Sequence, residues 1–262
     1  MSKFGFFDML IDTHSHIYTE DFNHDIDEVM QRAYDNDVKK IILPNIDSGS
    51  IKRLLDLSDS YPHLCYPLMG LHPTSVSEDY KEELEAVEYW LEKRKFYGIG
   101  EIGIDLYWEQ KYVKEQQEAF RYQIKLARSH NLPIVIHVRN SFEEVHTIVK
   151  EEQDGNLKGI FHCFNGTLEE AQKVTDVGFY MGIGGVVTFK NSKLDEVIKL
   201  VDIKNLVLET DSPYLAPVPK RGRRNESAYL AFVAQKVAEI YELSVEEVAE
   251  ITSLNARRLF GI

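Results

Sequence analysis

The sequence is poor in cysteine: Cys65 and Cys163 are the only two in 262 residues. That excludes a disulfide-stapled scaffold and a cysteine-ligated zinc or iron–sulfur site. At this length no staple is needed, because packing alone can bury a large core. Both cysteines lie in apolar runs and read as reduced and buried, which suits a cytoplasmic setting. Cys163 follows His162 directly, so in a strand it would face away from it. Long hydrophobic runs are also lacking. The apolar start MSKFGFFDMLIDTH is too short to span a bilayer and carries no small-residue cleavage site. It reads as a first strand, and no membrane partner is expected. Positive charge is scarce, with 30 Lys and Arg against 43 Asp and Glu and a net charge of −13. Such a surface repels polyanions at long range, so a nucleic-acid ligand would need local cations. There is no glycine-rich phosphate loop: the first apolar run ends in DTHSH. That argues against a doubly wound dinucleotide-binding sheet. Linkers, low-complexity segments and composition breaks are absent too, so residues 1–262 read as a single domain.

What is present is alternation. Apolar runs rich in Ile, Val, Leu and Phe occupy 6–14, 38–45, 65–72, 96–103, 133–140, 159–166, 178–185 and 205–211. Helical patterns follow at 25–37, 50–60, 80–94, 113–130, 142–152, 168–176 and 192–201. The 3.6-residue period is clearest in EQQEAFRYQIKLARSH, which Asn131 and Pro133 terminate. Eight strands alternating with helices predict an α/β fold of the TIM (β/α)8 barrel type. The tail from 225 to 262 reads as two extra C-terminal helices covering the last strand and one end of the barrel.

The chemistry lies in what ends each run. His14 and His16 end the first, His72 the third, Glu101 the fourth, His137 the fifth, His162 the sixth and Asp211 the eighth. Buried His, Glu and Asp are costly unless paired or bound to metal. In a parallel barrel all C-terminal strand ends meet at one mouth. His14 and His16, two apart, can grip one ion together. Taken singly, His137 or His162 fits a satisfied core histidine, and Asp211 before Ser-Pro fits a turn. Six such groups at matching places point instead to a metal site. Imidazole and carboxylate without thiolate suit Zn, Mn, Fe, Ni or Co, and Mg less well. Four histidines and two carboxylates exceed the needs of one tetrahedral ion, so two divalent metal ions sharing a carboxylate are expected.

At these residues the sequence resembles the TatD family of metal-dependent deoxyribonucleases, within the amidohydrolase superfamily. The resemblance covers nearly the whole chain. It is carried by IDTHSH, GLHP at 70–73, GEIGID at 100–105, LPIVIHVRN at 132–140, GIFHCFNG at 159–166, GGVVTFKN at 184–191, ETDSPYLAPVPKRGRRNE at 209–226 and LNARRLF at 254–260. It implies a TIM barrel and hydrolysis of DNA phosphodiesters, as a 3′-to-5′ exonuclease on single-stranded ends. It also implies one ion on His14, His16, Glu101 and Asp211 and a second on Glu101, His137 and His162. The chain departs from the family at Asn140, where Asp is usual, and at Lys220, where His is common.

For catalysis the expectation is water activated at the metals, with Asp211 taking its proton. His72, Arg139 or Arg221 would steady charge on the phosphate. His72 could equally be a turn residue held by Pro73, and Arg139 could pair with Glu143 or Glu144. KRGRR at 220–224, the one dense basic run, is either a solvated loop or a contact for the nucleic-acid backbone. Tyr107 and Trp108 either stack on a base or plug the loop. No obligate protein partner is evident. Two other functions fit the same residues: hydrolysis of a small amide, ester or lactone, and metal-stabilised binding without turnover. Against the first, the fourth strand ends in Glu101 and not in a lysine that could be carbamylated.

Overall fold

The computed structural model describes residues 10–108 and 110–262. Eight parallel strands alternate with helices. The strands are β1 (Leu10–Asp12), β2 (Val38–Leu43), β3 (Cys65–Pro67), β4 (Ile99–Asp105), β5 (Ile134–Arg139), β6 (Gly159–Phe161), β7 (Tyr180–Ile183) and β8 (Leu206–Leu208). Residues 6–9 of the expected first strand lie outside the described residues. The strands pair in two arcs, β1-β2-β3 and β4 through β8. A parallel bridge between Met69 and Ile99 joins the arcs on one side. On the other, the Thr13 N–H donates to Leu208 O at 3.0 Å and Ser15 bridges Ser212. The ring thus closes as a TIM barrel.

The crossings are α1 (Ile26–Asp35), α2 (Ile51–Ser60), α3 (Tyr80–Lys93), α4 (Val113–His130), α5 (Phe142–Glu152), α6 (Leu168–Asp176) and α7 (Leu194–Ile198). Their apolar faces bury against the strands, as the 3.6-residue pattern requires. Asn131 ends α4 in the left-handed conformation, φ 53°. After β8 come α8 (Leu230–Tyr241) and α9 (Val245–Phe260). Ile11, Ile42, Leu68, Val135, Ile160 and Val207 form a separate apolar cluster with Ala256, Leu259 and Phe260 of α9. Tyr97 and Tyr180, which lie at strand starts, pack on it. So α9 plugs the barrel at the strand starts, opposite the end where the polar residues gather.

Several strands stop earlier than their apolar runs. β3, β6 and β8 end at Pro67, Phe161 and Leu208. Beyond β6 and β8 side-chain carboxylates take over backbone donors. The Thr210 N–H donates to Asp12 Oδ1 at 2.9 Å, and the Cys163 N–H to Glu209 Oε1 at 2.6 Å. Cys163 is therefore not in a strand. It has φ 48° and is half-buried, whereas Cys65 is fully buried; both thiols are free. α7 is shorter than the 192–201 pattern because Lys193, at φ 55°, delays its start. Gly103, φ 144°, is required where β4 meets β5: a Cβ there would lie 2.1 Å from His137 O.

Candidate metal centre

Glu101, the third residue of β4, sits at the middle of the cluster with its carboxylate buried. Its two oxygens face two different groups. Oε2 lies 3.1 Å from His14 Nε2 and 3.3 Å from His16 Nε2, and those two nitrogens are 3.1 Å apart. Asp211 Oδ1 completes this side, 3.7 Å from His14 Nε2 and 3.8 Å from His16 Nε2. Oε1 lies 2.7 Å from His137 Nδ1, 3.3 Å from His162 Nε2 and 3.3 Å from His72 Nε2. The structure therefore brings together all six sequence-predicted ligands, and His72 with them. Three donor sets are compact enough to hold an ion: His14, His16 and Glu101; His14, His162 and Asp211; His72, Glu101 and His137.

The far atom of most of these rings is tied down, and that decides which near atom carries a lone pair. Tyr18 Oη donates to Pro44 O at 2.6 Å, so toward His16 Nδ1, 3.1 Å away, it can only accept. His16 then carries its proton on Nδ1 and turns a lone pair on Nε2 into the centre. His162 Nδ1 is 3.1 Å from Glu209 Oε1 and His137 Nε2 is 2.9 Å from Asp105 Oδ2. Each carboxylate holds the ring proton on its own side, leaving the inner nitrogen as an acceptor. Acceptor nitrogens of His16, His137 and His162 thus converge on carboxylate oxygens, an arrangement that a cation satisfies. The donor set fits divalent metal.

His72 is built the other way. Its Nδ1 accepts the backbone N–H of Thr74 at 3.1 Å, at the start of a short 3-10 turn over Pro73–Ser75. The neutral ring therefore carries its proton on Nε2, pointing at Glu101 Oε1 and His137 Nδ1. Burial, aided by His137, holds its pKa below the usual range, with Glu101 opposing. His72 is a neutral donor into the centre and is set apart from the lone-pair ligands, although its distances alone would admit it. Burial lifts the Asp211 carboxyl to about 6, with His162 and His16 opposing that shift. Burial alone would raise Glu101, but His72, His162 and His14 outweigh it and hold the group well below the usual carboxylate range.

Sequence reasoning missed four supporting groups. Asp105 holds His137 through Oδ2 while its Oδ1 accepts the N–H groups of Tyr107 and Trp108 at 2.9 and 3.0 Å. Asp12 accepts Thr210 Oγ1 at 2.7 Å and ties β1 to the chain just before Asp211; burial pushes its pKa up to about 7. Glu209 and Tyr18 are the other two. Asp12, Asp105 and Glu209 each stand in a motif that supplied a ligand, which was the available signal. Tyr18 gave none.

A cavity of about 630 Å³ opens over the centre, lined by His72, Asp211, Trp108, Arg139, Tyr214 and Leu215 among others. The Arg139 guanidinium lies 4.0 Å from the Tyr107 ring centre and 5.1 Å from that of Trp108. Among the described residues it forms no ion pair, with Glu143 and Glu144 or any other carboxylate. Arg221 is not in the cavity wall; it stacks on Phe189 at 3.8 Å. Cys163, half-buried, does line the cavity.

The chain is similar to known proteins along nearly its whole length. The family model described as "TatD related DNase" matches residues 11–261. The chain is 41% identical over 255 residues to the "Uncharacterized metal-dependent hydrolase YabD" of Bacillus subtilis, covering 97% of this chain and all of that one. It is 33% identical over 257 residues to the "Uncharacterized metal-dependent hydrolase YcfH" of Escherichia coli K12, covering 97% and 96%. The crystal structure of YJJV, a TatD homolog from E. coli K12, superposes with a TM-score of 0.91 at 30% identity, covering 97% of this chain and 98% of that one.

Proposed function

Since the chain belongs to the TatD family of metal-dependent hydrolases, we propose that it hydrolyses DNA phosphodiester bonds as a 3′-to-5′ exonuclease on single-stranded ends. The observation that carries the reading is the split carboxylate. Each oxygen of Glu101 faces its own set of imidazoles, beneath a cavity that also presents a guanidinium and exposed aromatic rings. One ion would be held by His14, His16, Glu101 and Asp211, the other by Glu101, His137 and His162. Such a pair supplies Lewis acidity, which polarises phosphoryl oxygens and acidifies water. Asp211, at the cavity wall, takes the proton of the attacking water. His72 Nε2–H donates to a non-bridging phosphoryl oxygen and steadies the charge that develops there. Arg139, backed by Tyr107, meets the neighbouring phosphate, and Trp108 stacks on the terminal base.

The test is elemental analysis followed by an assay on 3′-end-labelled single-stranded DNA, with model phosphomonoesters and lactones in parallel. The expected result is about two divalent ions per chain, mononucleotide release that chelation abolishes and metal restores, and a folded but inactive Glu101→Ala. Lactone turnover without DNA cleavage, or full activity of metal-free Glu101→Ala, overturns the reading.

A further inference from the structure

The loop after β8 builds a second site. Its first residues, Tyr214 and Leu215, stand in the wall of the metal cavity. Its last, Lys220, Arg223 and Arg224, stand in the wall of another cleft of about 700 Å³, with Arg32 and Asn36 from the end of α1 and with Glu226, Tyr229 and Phe232. The base of the loop is clamped. Asn225 N–H donates to Pro213 O at 3.0 Å, and Asn225 Nδ2 donates to Thr210 O and Tyr214 O at 2.8 and 2.7 Å. Cleft and metal cavity are thus opposite ends of one anchored segment.

The cleft is cationic in a chain that carries a net charge of −13. Two of its four cations are fixed. Arg32 grips Glu226 through Nε and Nη2 at 2.8 and 2.6 Å, and Arg224 grips Asp25 through both Nη atoms at 2.8 and 2.6 Å. The other two are surplus: among the described residues neither Lys220 nor Arg223 forms an ion pair. Lys220 Nζ instead lies 5.0 Å from the Tyr229 ring centre and 5.9 Å from that of Phe232. Four cations against two carboxylates, with unspent donors beside two aromatic rings, match a phosphate and the flat base attached to it. A monoanionic carboxylate ligand would leave the rings unused.

We propose that this cleft holds backbone phosphates of the nucleic-acid strand whose end lies in the metal cavity. The nature of the ligand rests on the nuclease reading above. Lys220 and Arg223 contact the phosphates, Arg32 and Arg224 shape the floor, and Tyr229 offers a face to a base. The arrangement makes the enzyme's grip depend on strand length, because a short substrate reaches the metals without reaching the cleft.

The probe is a fluorescent phosphorothioate oligodeoxythymidylate of twelve residues, which resists hydrolysis and keeps its charge, read by anisotropy. The Lys220→Glu/Arg223→Glu variant alters groups with no structural ion pair. It should weaken binding about tenfold or more and flatten the salt dependence of log K by about 1.4, the loss of two contacts at ~0.7 each. The control, Lys125→Glu/Lys158→Glu, makes the same change in net charge on exposed residues elsewhere and should change affinity less than about twofold. Equal affinity in wild type and cleft variant, or an equal loss in the control, overturns the proposal. So does a wild type that binds inorganic phosphate and no oligonucleotide. An unmodified twelve-mer left intact by metal-loaded wild type sinks the nuclease reading, while the anisotropy comparison still decides the cleft.

Discussion

The two ends of the loop after β8 can be set against each other. In the metal centre, lone pairs of His16, His137 and His162 face the oxygens of Glu101 and Asp211. In the flank cleft, ammonium and guanidinium groups gather in one wall with Tyr229. Both are like-with-like clusters, and each calls for a ligand of opposite character. They differ in how they are held. In the centre three of the four ligand-candidate imidazoles have a partner behind them that fixes the ring proton: Tyr18, Asp105 or Glu209. In the cleft, half the cations are braced by carboxylates and half are free. A cation site needs fixed lone pairs at short range, whereas a phosphate site tolerates mobile charges that act through a field. The second kind should therefore be less sensitive to any single change.

The largest expected effect is at Asp105 and Glu209. Asp105→Asn keeps an acceptor for the Tyr107 and Trp108 N–H groups but turns an amide donor toward His137 Nε2. The ring proton then moves to Nδ1 and blocks the inner lone pair. Metal titration should show affinity at the Glu101–His137–His162 position reduced by about 10–100-fold, with the His14–His16–Asp211 position spared. Glu209→Gln should act likewise through His162. Equal weakening of both ions in both variants would remove the distinction between fixed and field-like sites.

Tyr18→Phe comes next. It deletes the donor to Pro44 O and the acceptor for His16 Nδ1 while keeping the ring. Urea unfolding should show a loss on the order of 1–3 kcal/mol for the buried groups left unpaired. A smaller fall in metal affinity should accompany it, because His16 can then adopt either tautomer. Unchanged stability would mean that the tyrosine hydroxyl does not set the ring.

The smallest effect belongs to the cleft's brace. The hydrogen bond from Arg224 holds the Asp25 carboxyl below its ordinary value. A depressed folded pKa contributes stability that is present above the unfolded value, near 3.8, and is lost as pH falls through the folded value. The melting temperature of wild type should exceed that of Asp25→Asn near neutral pH. The gap should narrow below about pH 4. A gap that widens on acidification would contradict the sign.

The barrel and the six candidate ligands were legible because each candidate lies in or just after an apolar run, where an ionisable group has few other uses, although β4 and β5 run on past Glu101 and His137 to Asp105 and Arg139. Their supports were not, because the contacts that define them are distant in sequence: Asp12 with Thr210, Tyr18 with Pro44, Asp105 with His137, Glu209 with His162. Composition cannot show which of several buried acids faces which ring. His72 was legible as a strand-end histidine, yet its donor role depends on the backbone N–H of Thr74. KRGRR read as one dense basic run, either a solvated loop or a contact for a nucleic-acid backbone. The structure divides it, with Arg221 on Phe189 and Lys220, Arg223 and Arg224 turned to the flank. The turn at Gly222, φ 80°, lies between them.

The α9 plug has a consequence for traffic. With Leu259 and Phe260 packed among the residues that line the barrel bore, the vessel is blind at one end. Water, ions, substrate and released product all share one doorway. On the nuclease reading, a long strand lodged there would also be a stopper, so ions would have to board before the strand does. A chelator should then strip the centre more slowly once an oligonucleotide is seated.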